Sequence, residues 1–190
     1  IYNGVLDAHQ AVLQAVRPGV AWPEMHRLAE TKILGALVKA GFLRGDVGSM
    51  MEARLGGVFM PHGLGHLLGI DTHDVGGYRE GDPAVPPRPV GPGISKIRTA
   101  RVLAPGMMMT VEPGCYFCEY LLRKAFEDPA LAGFLVRDKI EEHMGFGGVR
   151  IEDNFLVTPD GAESFTDVPR TVGEIEAVMA GGAWPLPARG

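Results

Sequence analysis

The sequence predicts an α+β fold, a curved antiparallel sheet with helices on one of its faces, and two observations carry that expectation. Apolar residues recur at helical spacing through two successive segments at the start of the chain, whereas residues 98–158 hold short apolar and β-branched runs bounded by Pro-Gly and Pro-Asp-Gly turns. Helices followed by strands, rather than strictly alternating with them, segregate onto one sheet face. With 190 residues, 46% hydrophobic and 22% charged, the chain is long enough to bury a core and reads as one domain or part of a larger one.

In chain order, Val5, Ala8, Val12, Leu13 and Val16 mark the first helix, which Arg17-Pro18-Gly19 stops. Pro23 opens a second helix with the stripe Met25, Leu28, Ile33, Leu34, Leu37 and Val38, and Gly41 stands where a C-terminal cap belongs. Residues 49–55 read as a short helix. An apolar burst, Val58-Phe59-Met60, leads into a Gly- and His-rich stretch ending at Tyr78. The prolines of residues 81–93 predict an exposed, partly extended loop. Residues 98–111 read as strand, turning at Ala104-Pro105-Gly106, and a strand over 107–117 is broken by Pro113-Gly114. Residues 119–144 are helical but interrupted at Asp128-Pro129, residues 149–158 form a strand, and a last helix spans 172–180. A loose Pro/Gly tail, 183–190, follows a domain spanning 1–182.

The formal net charge of -5 speaks against a nucleic-acid or anionic-membrane partner, since both need clustered Lys and Arg. No run of about 20 apolar residues predicts a membrane span, and no signal peptide opens the chain; a cytoplasmic protein is expected. Cys115 and Cys118 are spaced C-x-x-C, but no second pair completes a zinc site. They read as two buried thiols in a reducing compartment.

Half of the six histidines, His62, His66 and His73, fall within twelve positions among glycines. Imidazole is the commonest metal ligand and the proton carrier suited to neutral pH. His62 and His66 have the i, i+4 spacing of a zincin helix, but Gly63 stands where the general-base Glu belongs. Gly63-Leu64-Gly65 with Gly69 is out of register for a dinucleotide loop, and no acid about 20 residues on would hold a ribose. Two lone acids, Glu112 and Glu152, stand in apolar strand contexts. A buried carboxylate pairs with a cation or coordinates a metal, and Arg150, on Glu152's strand face, is its expected partner if the answer is an ion pair. One imidazole and two carboxylates suit manganese or iron more than structural zinc.

Residues 58–78 closely resemble the histidine segment of Xaa-Pro dipeptidases, in the pita-bread metallopeptidase superfamily. The likeness continues through Arg98-Thr99-Ala100-Arg101, Thr110-Val111-Glu112-Pro113-Gly114, Phe146-Gly147-Gly148-Val149-Arg150-Ile151-Glu152-Asp153 and Val168-Pro169-Arg170-Thr171. The resemblance implies that His66, Glu112 and Glu152 ligate a dinuclear centre of divalent cations, manganese first, with cobalt, iron or zinc as alternatives. It implies that His62 and His73 hold substrate and stabilise the tetrahedral intermediate, that Glu112 also ferries a proton, and that Arg98 grips the carboxylate of a dipeptide's C-terminal proline. A full-length relative of this kind is expected to be a homodimer. Aminopeptidase P shares the histidine pattern but acts on longer peptides; Arg98 and Gly76-Gly77-Tyr78 favour the dipeptidase.

The resemblance also requires two aspartates eleven residues apart, upstream of the histidines. Before His62 the sequence holds just Asp7 and Asp46, in no strand context, and Asp71 and Asp82 have the spacing on the wrong side of His66. Ile1-Tyr2-Asn3-Gly4 reads as an entry cut into a helix. The chain therefore reads as the second half of a pita-bread fold, lacking the N-terminal domain and the first half. It would supply part of a site and be inactive alone, or act as a catalytically inactive binding or regulatory module.

Overall fold

A computed structural model describes residues 1–78 and 86–183. Helix α1, Tyr2–Ala15, and helix α2, Trp22–Lys39, pack against each other along their lengths. Pro23 lies in the first turn of α2, where its missing N–H costs nothing. Gly41 follows the α2 cap at φ 78°, a left-handed value that closes the helix without Cβ strain. Val5, Ala8 and Val12 of α1 and Ile33, Leu34 and Leu37 of α2 are buried as their spacing predicts. The buried face of α2 also takes in His26 and Glu30, whose Nε2 and Oε1 lie 3.3 Å apart.

Two short helices follow: α3, Val47–Glu52, capped by the Asp46 carboxylate accepting from Ser49 N, and α4, Gly56–Phe59, which buries the apolar burst. Strand β1, Met108–Val111, pairs antiparallel with β4, Asp153–Val157, which pairs with β5, Ala162–Ser164. A separate antiparallel ribbon joins β2, Gly114–Tyr116, to β3, Gly148–Arg150. Helices α5, Glu119–Glu127, and α6, Arg137–Glu141, fill the connection between β2 and β3, interrupted where Asp128-Pro129 predicts. Helix α7, Val172–Met179, opens with a capping box between Thr171 and Glu174. Helices and sheet meet where Trp22, fully buried, packs on Phe155 with ring centroids 6.1 Å apart.

Three local expectations are corrected. Residues 98–103 are not a strand: a 3-10 turn at Ile94–Lys96 precedes an extended segment that bridges to Ala21 at Val102, with Trp22 N donating to Arg101 O, Leu103 N to Val20 O and Gly19 N to Leu103 O. The strand over 149–158 is two strands in different sheets, and the break falls at Ile151 and Glu152, leaving Glu152 exposed rather than in a buried strand. Cys118 is exposed at the start of α5 while Cys115 is buried in β2, so the thiols do not share one environment. Both are free. The expectations for the 81–93 loop and the 183–190 tail fall partly on residues 79–85 and 184–190, outside the described residues; of the rest, Arg88 and Val90 are exposed. No helix among the described residues is long and apolar enough to cross a membrane.

Candidate metal centre

The histidine segment is not a helix. Residues 64–68 run as an extra, antiparallel edge beside β1, with Thr110 N donating to His66 O at 2.9 Å, Glu112 N to Leu64 O at 2.8 Å and Leu68 N to Met108 O at 2.9 Å. Gly65 is what permits this approach, since a Cβ there would lie 2.1 Å from Thr110 O. The indole of Trp22 donates to Gly65 O at 3.3 Å, fixing the segment to the start of α2.

This pairing sets His66 beside Thr110 and Glu112, which alternation puts on one strand face. His66 N donates to Thr110 Oγ1 at 3.0 Å, and that hydroxyl donates to Glu112 Oε1 at 3.0 Å. His66 Nε2 faces the same Oε1 at 3.3 Å. Glu152 completes the group: one ligand atom from each of His66, Glu112 and Glu152 lies within 4.8 Å of the others.

Glu112 and His66 are buried, and burial above all, reinforced by the Glu152 charge, raises the Glu112 pKa against the opposing pull of Thr110, Arg150 and His66. Arg150 pairs with Glu112, Nη1 to Oε2 at 2.9 Å, and not with Glu152 as its place on the strand suggested. Because β3 ends at Arg150, the alternation linking residues 150 and 152 is lost, and the β2–β3 register aims Arg150 towards Tyr116, whose hydroxyl accepts from Nε at 2.6 Å. Thr110 was legible as a same-face neighbour of Glu112. Tyr116 was not, because its role depends on the pairing of strands far apart in sequence.

The donor set fits a divalent cation. His66 Nδ1 lies 3.0 Å from Leu67 O, the arrangement in which Nδ1–H donates to the carbonyl and the Nε2 lone pair points outward. That lone pair and a carboxylate oxygen face each other at 3.3 Å, and two acceptors rest so only with a proton or cation between them.

A cavity of about 730 Å³ opens over this group, lined by His62, His66, His73, Arg98, Glu112 and Arg150 among others, so the structure gathers every sequence-predicted site residue at one place, Glu152 through its cluster with His66 and Glu112. The His73 ring stands edge-on to His66, centroids 4.4 Å apart, and its pKa is lowered by loss of solvent and by the Arg98 and His66 charges. His62 stacks edge-on with Tyr116 at 5.3 Å; its Nδ1 lies 2.8 Å from Gly63 O, and its buried Nε2 has no hydrogen-bond partner among the described residues. Burial above all holds its pKa at about 4, so the ring is neutral at pH 7.

An imidazole and two carboxylates clustered beside a cavity lined with histidine and arginine form a group that could hold a divalent cation. The comparisons agree: residues 1–159 match the model of metallopeptidase family M24, and the chain belongs to that family. It is 55% identical over 181 residues to the Xaa-Pro dipeptidase of Homo sapiens and 51% identical to that of Rattus norvegicus, in each case over 95% of this chain and 36% of the relative. Among solved structures it superposes on aminopeptidase PepP of Pseudomonas aeruginosa with a TM-score of 0.69 at 38% identity, covering 95% of this chain and 34% of that one. The chain thus spans about a third of the length of the relatives it matches. These likenesses place the fold as part of a pita-bread α+β domain.

Proposed function

We propose that this chain supplies the imidazole-and-carboxylate wall of a dinuclear metallopeptidase site that hydrolyses Xaa-Pro dipeptides. The observation that supports it most is the opposition of His66 Nε2 and Glu112 Oε1, with Glu152 in reach, at the floor of a cationic cavity. His66, Glu112 and Glu152 would hold the cations, read as manganese, which when bound would activate water and polarise the scissile carbonyl.

The chain's own groups supply the remainder. Glu112, with its pKa raised, is poised to take up a proton and pass it to the leaving proline nitrogen. Neutral His62, with Nδ1–H donated to Gly63, presents a lone pair at Nε2 and so suits accepting a hydrogen bond from substrate. That leaves His73 to donate towards the developing oxyanion. Arg98 lines the cavity with no hydrogen bond or ion pair among the described residues, free to clamp a terminal carboxylate bidentately. A carboxylate clamp favours dipeptides over the longer substrates of an aminopeptidase P, as does the higher identity to dipeptidases. A cytoplasmic homodimer for the longer protein is part of the same reading.

Asp7 and Asp46, the aspartates before His62, are not in the cluster with His66, so turnover is expected to require further ligands from a complementing segment. The test is to mix this chain with the region of the human relative preceding the match and to assay Gly-Pro cleavage with manganese. Proline release that depends on both pieces supports the reading. A folded, metal-loaded mixture that leaves Gly-Pro intact contradicts it and favours an inactive binding module.

A further inference from the structure

Glu152 leaves the backbone in the two-residue break between β3 and β4, and it is exposed. No hydrogen bond or ion pair among the described residues holds its carboxylate. A ligand so loosely held must take its position from the backbone beneath it. The next residue, Asp153, is by contrast 2% exposed and heavily bound. Arg170 Nε donates to Asp153 Oδ1 at 3.1 Å and its Nη2 to Oδ2 at 2.6 Å, Ser164 Oγ donates to Oδ2 at 3.3 Å, and His9 Nε2 lies 3.2 Å from Oδ2.

These partners come from three places: α1, β5 and the segment leading into α7. That segment is itself fastened. Arg170 donates to the carbonyls of Val168 and Thr166, Tyr2 OH donates to Arg170 O at 2.7 Å, and Asn154 N donates to Thr166 Oγ1 at 2.9 Å. Asp153 is buried among its partners while Glu152, its exposed neighbour, reaches His66 and Glu112, so Asp153 anchors the backbone from which Glu152 extends. The register pairs Asp153 with Val111, the residue before Glu112. One anchor therefore lies behind both carboxylates.

We propose that Asp153, clamped by Arg170 with His9 Nε2 alongside, is the positioning residue for Glu152, so that metal affinity is governed by a partly buried ion pair outside the cavity. This inference rests on the metal-centre reading above. Loss of a group that orients a ligand typically weakens metal binding about ten- to a hundredfold.

Cobalt(II) titrated into this chain, followed by calorimetry and by its visible absorption, tests the proposal. Arg170→Gln is expected to weaken cobalt binding about tenfold or more and to alter the visible bands, with Arg170→Lys recovering part of both. Leu135→Ala, a core change away from the clamp, should lose stability at unchanged affinity and spectrum. Should Arg170→Gln fail to fold, His9→Gln is read in the same way. Native affinity and bands in the folded clamp variant, or an equal loss in Leu135→Ala, would overturn the proposal alone. A wild-type chain that takes up no cobalt, or a His66→Ala chain that binds it normally, would overturn the metal centre beneath it.

Discussion

His66 Nε2 and Glu112 Oε1 oppose each other at 3.3 Å, while Thr110 ties the backbone of the first to the carboxylate of the second. The two residues are 46 positions apart, and what brings them together is the pairing of residues 64–68 with β1.

Removing either partner should therefore abolish cation binding rather than trim it. Orienting groups alone are worth ten- to a hundredfold, so His66→Ala or Glu112→Gln is expected to weaken manganese or cobalt binding by more than about a hundredfold. Titration calorimetry measures this. Glu112→Gln should in addition free Arg150, whose Nη1 would lose its charged acceptor at 2.9 Å.

The same geometry makes Gly65 irreplaceable. Gly65→Ala places a methyl against Thr110 O and must pry the edge segment from β1. It should cost about 1–3 kcal/mol, the usual range for overpacking, and should lower metal affinity with it. Urea unfolding and metal titration of one preparation check both, and a variant that lost stability while keeping its affinity would contradict the linkage.

His62 predicts an acid limb in the stability curve. Its folded pKa is depressed to about 4, burial leading and the Arg150 and His26 charges adding to it against the Gly63 hydrogen bond, while an unfolded histidine titrates near 6.5. Between those values the unfolded chain binds more protons, so stability is complete above about pH 6.5 and falls as the pH drops towards 4. His62→Gln should flatten this limb, as denaturant midpoints measured across the window would show.

The two thiols should differ in reactivity. Burial pushes the Cys115 thiol up to about 12, whereas Cys118 is exposed. A thiolate-selective reagent is expected to titrate one group in the native chain and two after denaturation, and Cys118→Ser should abolish the native signal.

How far the sequence foretold this arrangement depends on the range of each interaction. Helices α1 and α2 were legible because spacing, Pro23 and Gly41 act within a few residues, and the Asp128-Pro129 interruption likewise. That His66, Glu112 and Glu152 gather at one place was legible through residue type and motif. The environment of Glu152 was not, since a strand read over 149–158 conceals that Arg150 and Asp153 belong to different sheets. Arg150 then finds Glu112, 38 residues away, instead of Glu152 at two. The exposure of Cys118 escaped for the same reason: alternation along 107–117 ends where α5 begins. His9 gave no local sign of meeting Asp153 across the core.

His66, Glu112 and Glu152 are expected to converge on one cation. Anomalous diffraction from a manganese-soaked crystal of this chain tests it most directly. A peak is expected at bonding distance from His66 Nε2 and from oxygens of both carboxylates. Density elsewhere on the surface, or none at manganese concentrations that saturate a related intact enzyme, would contradict it.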